Sequence, residues 1–492
     1  MAAPAEVRAP AVSDESQFVR GIGPLAAVSL VVGSMIGSGI FIVSADISRQ
    51  VSALGPAGLL LVWTVTGVIT VIGALTYAEL AAMMPNAGGQ YVFLREGLSP
   101  IAGFLYGWTL FMVIQSGTIA AVAVAFGRFL GVLIPSLTPD VFLKLGSFDM
   151  PGGTIQLGLS PQRVVAIVMV AVLTAVNIRG VRLGAAIQTI FTVAKVAALV
   201  ALILLGLTFF RRPEVAAANF GAFWGTGPWT LAVLPVIGAA MVGSLFSSDA
   251  WNNVTFAAAE VRDPRRNLPL ALGLGTGLVS LLYVIANVSY LNVLPFLGTP
   301  NGVDVLARGI QHAAQDRVAT AAMEVMLGPV GAIIMAIAIL ISTFGCNNGL
   351  ILAGARVYYA MARDRLFFRQ AGELHPDFRT PVFGLVAQAL WTMVLCVSGT
   401  YSELLNYVIF AALVFYLLTA VALFRLRRLR PDLPRPVKAV GYPVLPALYI
   451  VATGFILVVL LVDKQQRLYS GLGLLIVLLG LPVYALWRRT AR

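Results

Sequence analysis

Two short stretches of this chain hold the residues best placed to do chemistry. The first is Gly33-Ser34-Met35-Ile36-Gly37-Ser38-Gly39-Ile40-Phe41, and the second is Gly243-Ser244-Leu245-Phe246-Ser247-Ser248-Asp249-Ala250-Trp251-Asn252-Asn253. Both lie inside long apolar runs. Each glycine weakens a helix by about 1 kcal/mol relative to alanine, so both stretches are places for a helix to open. An opened helix exposes peptide dipoles. The N-terminus of a half-helix offers N–H groups to an anion, and the C-terminus offers carbonyls to a cation. Two such breaks side by side suit a small zwitterion, such as the carboxylate and ammonium of an α-amino acid. The same small residues also serve close helix packing. Asp249, Asn252 and Asn253 are expensive in an apolar helix and point to function, although neighbouring donors also satisfy buried carboxylates. Lys195 is a third such residue. It lies 12 residues beyond Leu183 in an apolar run, near mid-depth of a membrane helix and too deep to snorkel. It is either a structural lysine between helices or a functional one.

These residues need elements to hold them. Of 492 residues, 59% are hydrophobic and 11% charged, against about 45–50% and 25% in soluble domains. That balance excludes a soluble enzyme, a disordered chain and a secreted disulfide scaffold. A spanning helix needs about 20 mostly apolar residues. The sequence predicts twelve, at roughly 22–45, 57–84, 101–135, 162–178, 184–210, 229–258, 268–296, 327–361, 382–398, 402–424, 442–462 and 470–487. The expected fold is an all-α polytopic membrane protein. Residues 1–19 are polar, lack the apolar core of a signal peptide, and read as a disordered cytoplasmic tail. The interrupted spans are the first and the sixth. If the chain is two five-span halves of inverted topology, these occupy matching positions, the best sequence pointer to a midplane transport site.

The chain carries 33 basic and 21 acidic residues, a formal net charge of +12. Basic residues collect in the cytoplasmic loops of membrane proteins. With the twelve spans above, and with Arg163 and Arg356 near span ends counted to the adjoining loops, 22 fall on the side of the two termini and 9 on the other, Arg128 and Lys195 being set aside within spans. Both termini are therefore expected in the cytoplasm, and the net charge needs no nucleic acid. The run FRLRRLRPDLPRPVK reads as an inside loop or a contact with anionic membrane lipid. Cys346 and Cys396 both sit in apolar runs, so structural disulfides are not expected. There is no GxxxxGK[ST] for ATP, no GxSxG nucleophile elbow, and His312 and His375 have no metal-ligand company. No catalytic residue, metal or cofactor is expected.

Several motifs together go further. GSMIGSGIF is joined by Tyr77-Ala78-Glu79-Leu80 with Pro85, Gly88, Gly89 and Tyr91, and by Phe246 to Asn252 with Glu260 and RDPRRNLPLAL. Tyr283, Asn287, Phe344 to Gly349 and HPDFRTP follow in order. This series, over about residues 20–425, resembles the amino acid–polyamine–organocation superfamily, and within it the L-type amino acid transporters. The resemblance implies a LeuT-type fold. Helices 1–5 (20–212) and 6–10 (228–424) would form inverted repeats, with peripheral helices 11–12 (440–489). It implies a substrate carboxylate on the Ser38 hydroxyl and the Gly39 and Ile40 N–H groups. The ammonium would meet carbonyls near Met35 and Ile36 and those of Phe246 and Asp249. Asn252 of the same segment would also contact the substrate, and Phe246 would be both a substrate contact and a gating lid. Lys195 resembles a family lysine facing the region of a sodium site in sodium-coupled relatives of the fold. As a fixed substitute for the ion, or as a proton donor, it implies sodium independence. Animal L-type transporters join an accessory glycoprotein through a cysteine in loop 3–4. Residues 135–162 have none, so no disulfide-linked accessory subunit is expected. Asp249 stands where some relatives have glycine. It narrows the side-chain pocket, stabilises a positive substrate, or braces the break. Glu79 and Glu260 read as network carboxylates near the cytoplasmic ends.

The expectation is sodium-independent exchange of neutral L-amino acids by alternating access, in a bacterial inner membrane. The alternatives are proton-coupled uptake of neutral or cationic amino acids or polyamines, and a non-transporting amino acid sensor.

Overall fold

The computed structural model describes residues 20–150, 153–398 and 401–490; the tail expected over residues 1–19 lies outside them. Among the described residues, ten helices are long and apolar enough to cross a membrane. Two shorter apolar helices, Val233–Ser247 and Val382–Ser398, complete the twelve expected spans. The first span is Pro24–Met35 followed by Gly39–Ile42, and the sixth is Val233–Ser247 followed by Asn253–Phe256. Both interruptions fall within the segments that the glycine, serine and aspartate content marked out.

The other spans are continuous or gently perturbed. The second runs Gly55–Met83, the fourth Pro161–Ile178, the seventh Pro264–Val293 and the tenth Tyr401–Leu429. The third (Pro100–Leu133) carries one π-helical turn at Leu110–Ile114, and the fifth (Val181–Leu204) runs on into one at Leu205–Phe209. The eighth span is helical over Val318–Arg363 but bends at Gly328, whose φ is +67°, just before Pro329. Proline disfavours helical backbone in the residue before it, and glycine accepts the left-handed value. The helix expected from 327 is the part after this bend, and 318–327 form a lead-in helix assigned from sequence to a loop. That loop assignment is corrected here.

The loop between the third and fourth spans holds an antiparallel hairpin of β1 (Leu143–Met150) and β2 (Gly153–Leu159), with Leu143 opposite Leu159. Its strands of 8 and 7 residues are shorter than the ~9–11 needed to span a bilayer. The all-α description holds for the spanning body.

The first span is enclosed by the fifth, seventh and eighth, and the second packs along the seventh. The eleventh (Val444–Val462) and twelfth (Arg467–Thr490) lie against the tenth. Their outer faces leave Val451, Val458, Leu478 and Leu479 exposed, as a lipid-facing surface requires. The interior is unusually polar for so apolar a chain: Ser38, Lys195, Asp249, Asn252, Asn287, Asn347 and Asn348 are all buried. In lipid such groups persist only where helices supply partners for one another.

Candidate functional site at two interrupted helices

Helical hydrogen bonding in the first span stops at Met35. Ile36 has φ −75° and ψ 88°, and the Gly37 N–H turns back to the Met35 carbonyl at 2.9 Å. Side chains from other spans take the carbonyls freed by this break. The Lys195 ammonium donates to Gly33 O at 2.8 Å and Ile36 O at 2.7 Å. Ser342 donates to Ile36 O and Gly37 O, at 3.1 and 2.9 Å. Cys346 donates to Ser34 O, and Tyr283 bridges Met35 O and Ser247 O at 3.0 and 3.1 Å. Beyond the break the balance reverses. The N–H groups of Ser38, Gly39 and Ile40 have no protein acceptor among the described residues. The break is thus closed on its carbonyl side and open on its N–H side.

The sixth span ends at Ser247 and resumes at Asn253. Ala250 sits between them with φ +64°, a left-handed conformation that costs a non-glycine residue on the order of 1–3 kcal/mol. The Asp249 carboxylate accepts from the Tyr416 hydroxyl. Tyr416 also lies 3.4 Å from Asn252 Oδ1, Asn252 donates to Gln90 Oε1 at 2.7 Å, and Gln90 donates to Thr419 at 3.1 Å. The polar side chains of this break therefore form a chain running into the tenth span and the short helix Gln90–Gly97. The two breaks touch. A Cβ on Gly39 would stand 2.0 Å from Ser247 Oγ and 2.9 Å from Ser247 Cα. Gly89 (φ +43°) sits on the resumed sixth helix, where a Cβ would meet Thr255 Oγ1 at 2.2 Å. Only glycine fits either place.

Phe246 is 6% exposed and packs edge-on against Tyr401, with ring centroids 5.9 Å apart. The Ser38 hydroxyl donates to the Tyr401 hydroxyl at 3.3 Å, and the Arg128 guanidinium lies 5.6 Å from the centre of the same ring. Tyr401 also lines a cavity of ≈ 420 Å³ that opens among Asp46, Asp316 and Lys464, on the arginine-poor side. Beside the sixth-span break, Asp249, Asn252, Asn253, Gln115 and Tyr416 line a cavity of only ≈ 10 Å³. That is room for about one water, so a larger ligand needs the lining to move.

Most of the described chain matches one family of sequences. A family model described as "Amino acid permease" matches residues 22–482. The chain is 32% identical over 473 residues to the human "Large neutral amino acids transporter small subunit 2", covering 94% of this chain and 80% of that one. The mouse protein of that name is 31% identical over the same length and coverage. The mouse "b(0,+)-type amino acid transporter 1" is 28% identical over 470 residues, 95% of this chain and 87% of that one. The chain belongs to the amino acid permease family. It is a multi-pass membrane transporter of amino acids, from a family of transporters and not of enzymes.

In this permease the arginine-rich side is sealed. Glu260 and Arg356 form a buried ion pair at 2.9 Å, with side chains 1% and 2% exposed. Ile22 and Val261 bridge in parallel, so the start of the first span is tied to the end of the sixth. Glu79 accepts both ends of the Arg427 guanidinium, at 2.9 and 2.5 Å, and also the Ala439 N–H at 2.7 Å. Arg435 approaches Glu79 to 3.3 Å. Arg356 was counted from sequence as a loop charge. That is corrected: it lies inside the eighth helix and is consumed by Glu260.

Met35, Ile36, Ser38, Gly39, Ile40, Phe246 and Lys195 all gather at the paired breaks. Asp249 and Asn252 are adjacent to them, with side chains turned into the Tyr416 and Gln90 network. Ile36 O already holds two donors, so a further cation reaches it only by displacing the Ser342 hydroxyl. Sequence reasoning missed Ser342, Tyr401, Tyr416 and Gln90. A lone serine or tyrosine in an apolar helix carries no signal of its own. Only the contact across 306 residues between Ser342 and Ile36 reveals its use.

Proposed function

We propose that this permease exchanges neutral L-amino acids across the membrane without sodium, by alternating access. The observation that carries the reading is the asymmetry of the first break: three N–H groups without acceptors stand beside carbonyls filled by Lys195, Ser342 and Tyr283. The substrate carboxylate binds the N–H groups of Gly39 and Ile40 and the Ser38 hydroxyl. Its ammonium uses the carbonyls of Phe246 and Asp249, and reaches those of Met35 and Ile36 only by displacing one of the two donors each already holds. Asn252 braces the second break, and Phe246, backed by Tyr401, acts as the lid. Lys195 holds the break open in place of a coupling cation. A neutral substrate fits the pairing of Asp249 with Tyr416, which leaves that carboxylate engaged.

The moving parts are two inverted halves, 20–212 and 228–424, with 440–489 outside them. The matched positions of the two breaks support this division. Both termini face the cytoplasm: with Arg356 removed, the basic residues stand at 22 − 1 = 21 against 9. A chain without a disulfide-linked accessory subunit fits the loop over 135–162, which has no cysteine; the membrane assigned to it is a bacterial inner membrane. The relatives named as small subunits are, by that name, parts of assemblies.

A second reading is proton-coupled uptake with cationic amino acids or polyamines admitted, favoured by the buried carboxylate of Asp249. A sensor that binds without transporting is a third. Counterflow of labelled amino acids in sodium-free proteoliposomes separates them, and a competition panel of the twenty amino acids against one labelled substrate identifies what is carried. Exchange requires internal substrate and ignores an imposed pH gradient. Proton symport loads empty vesicles under an inward proton gradient, and a sensor binds label without accumulating it. Ser38→Ala is expected to weaken competition by every α-amino acid to a similar degree. Inhibition confined to compounds lacking the paired carboxylate and ammonium would refute the proposal.

A further inference from the structure

A second site lies on the arginine-rich side, well away from the breaks. A cavity of ≈ 820 Å³ is lined by Arg363, Arg365 and Arg369, with Phe367, Phe368 and Trp487 beside them. The eighth helix ends at Arg363, and Arg365 takes a left-handed turn with φ +59°. A 3-10 turn over Arg369–Gly372 then folds back beneath the helix end, with Gly372 packed on Ala362. This path sets three guanidinium groups around one hollow. None of the three has an ion-pair partner among the described residues. Asp364, which sits between two of them in sequence, is turned away: its carboxylate pairs with Arg95 and accepts from the Tyr91 hydroxyl at 2.7 Å. Glu373 is the one carboxylate in the lining, so the hollow keeps a surplus of positive charge.

The other wall is aromatic. Phe368 packs edge-on against Trp487 at 5.1 Å and lies 5.9 Å from Phe383. Phe368 and Phe383 are exposed, as is Leu486 on the last span. An amphipathic ring cluster at the end of a spanning helix marks the membrane–water boundary. Basic pockets between spanning helices on the cytoplasmic side hold anionic lipid headgroups.

We propose that this hollow binds the phosphate of an anionic glycerophospholipid, with the three arginines on the phosphate and Trp487 and Phe368 against the glycerol and upper acyl chain. The charge needs an anion. The exposed ring wall, facing where acyl chains lie, favours a lipid over a soluble phosphate.

The test uses the full chain purified in mild detergent, with phosphatidylglycerol and phosphatidylcholine as probes and native mass spectrometry as the readout. Wild type is expected to retain phosphatidylglycerol in preference to phosphatidylcholine. A basic residue near an anionic surface contributes a factor of about five, so Arg363→Gln with Arg365→Gln and Arg369→Gln is expected to lower retention by about 100-fold. Arg369→Gln alone should lower it about fivefold, which keeps the test readable if the triple variant fails to fold. Arg211→Gln with Arg212→Gln, on the opposite side, should leave retention unchanged. Equal retention of the two lipids, or phosphatidylglycerol retention indifferent to Arg369→Gln, would overturn the proposal. So would inorganic phosphate displacing the lipid while stabilising the protein equally, which would assign the hollow to a soluble anion.

Discussion

Lys195→Ala is the sharpest test of how the first break is held. In an uninterrupted helix the Gly33 carbonyl would accept from the Gly37 N–H, but that group turns to Met35 instead. Lys195 is then the donor to Gly33 O, and it shares Ile36 O with Ser342. Truncating it orphans one buried carbonyl and leaves the other with a neutral donor. An unsatisfied buried group costs about 1–3 kcal/mol, and a bond to a charged donor contributes about 1.5–3 kcal/mol where a neutral one gives about 1. The open break should lose about 2–4 kcal/mol relative to a helix that closes on itself, so the competent population should fall by about 30- to 700-fold. Counterflow of a labelled amino acid in sodium-free proteoliposomes measures this, with thermal unfolding in detergent as the folding control. Lys195→Met keeps most of the apolar stem without the donors, and should fail as Ala does. Sodium should rescue neither variant. If Lys195→Met were to exchange at the wild-type rate, the lysine would be filler and the account of the break would be wrong.

Gly39→Ala should impair transport through overpacking of about 1–3 kcal/mol, because its Cβ meets Ser247 Oγ and Cα. Adding Ser247→Gly should recover part of the loss in the same counterflow assay, and a fully active Gly39→Ala would contradict the contact between the breaks. Glu260→Gln should destabilise the sealed conformation by about 3–5 kcal/mol, since it leaves the Arg356 guanidinium buried and unpaired. The expected readout is a lower Tm in detergent, regained in Glu260→Gln with Arg356→Met; an unchanged Tm in the single variant would argue that the pair is hydrated.

How much of this was legible beforehand follows from the length scale of each signal. The breaks were readable because glycine, serine and aspartate inside an apolar run break a local pattern. Lys195 was readable because a charge at mid-depth is costly wherever it points. The spans followed from composition alone. The hydroxyl donors that join Lys195 at the first break were not readable from composition: Ser342 and Tyr283 come from two further helices, and one hydroxyl in an apolar helix looks like any other. Tyr283 was picked out only by resemblance. Arg356 was misassigned because a basic residue near a helix end looks the same whether it snorkels or pairs inward. The lead-in helix before Gly328 was lost for a similar reason: the Gly-Pro pair reads as the start of a span and hides the helix on its other side.

The same asymmetry of the first break argues for exchange over net uptake. When the carrier is occluded, water is excluded, and the N–H groups of Ser38, Gly39 and Ile40 need an acceptor. A bound carboxylate supplies it. An empty carrier crossing the same occluded state would bury three unpartnered donors, at about 1–3 kcal/mol each. Even with one trapped water taking two of them, about 1–3 kcal/mol remains, which slows the empty return by about 5- to 150-fold. Lys195 does not relieve this, because its charge already serves the carbonyls on the other side of the break. The loaded carrier therefore cycles readily in both directions, and the unloaded one is held where it last released its substrate. Influx into vesicles preloaded with unlabelled substrate should exceed influx into empty vesicles by a factor in that range. Equal rates into full and empty vesicles would mean that the N–H groups find another acceptor during the return, and that substrate binding is not what releases the step.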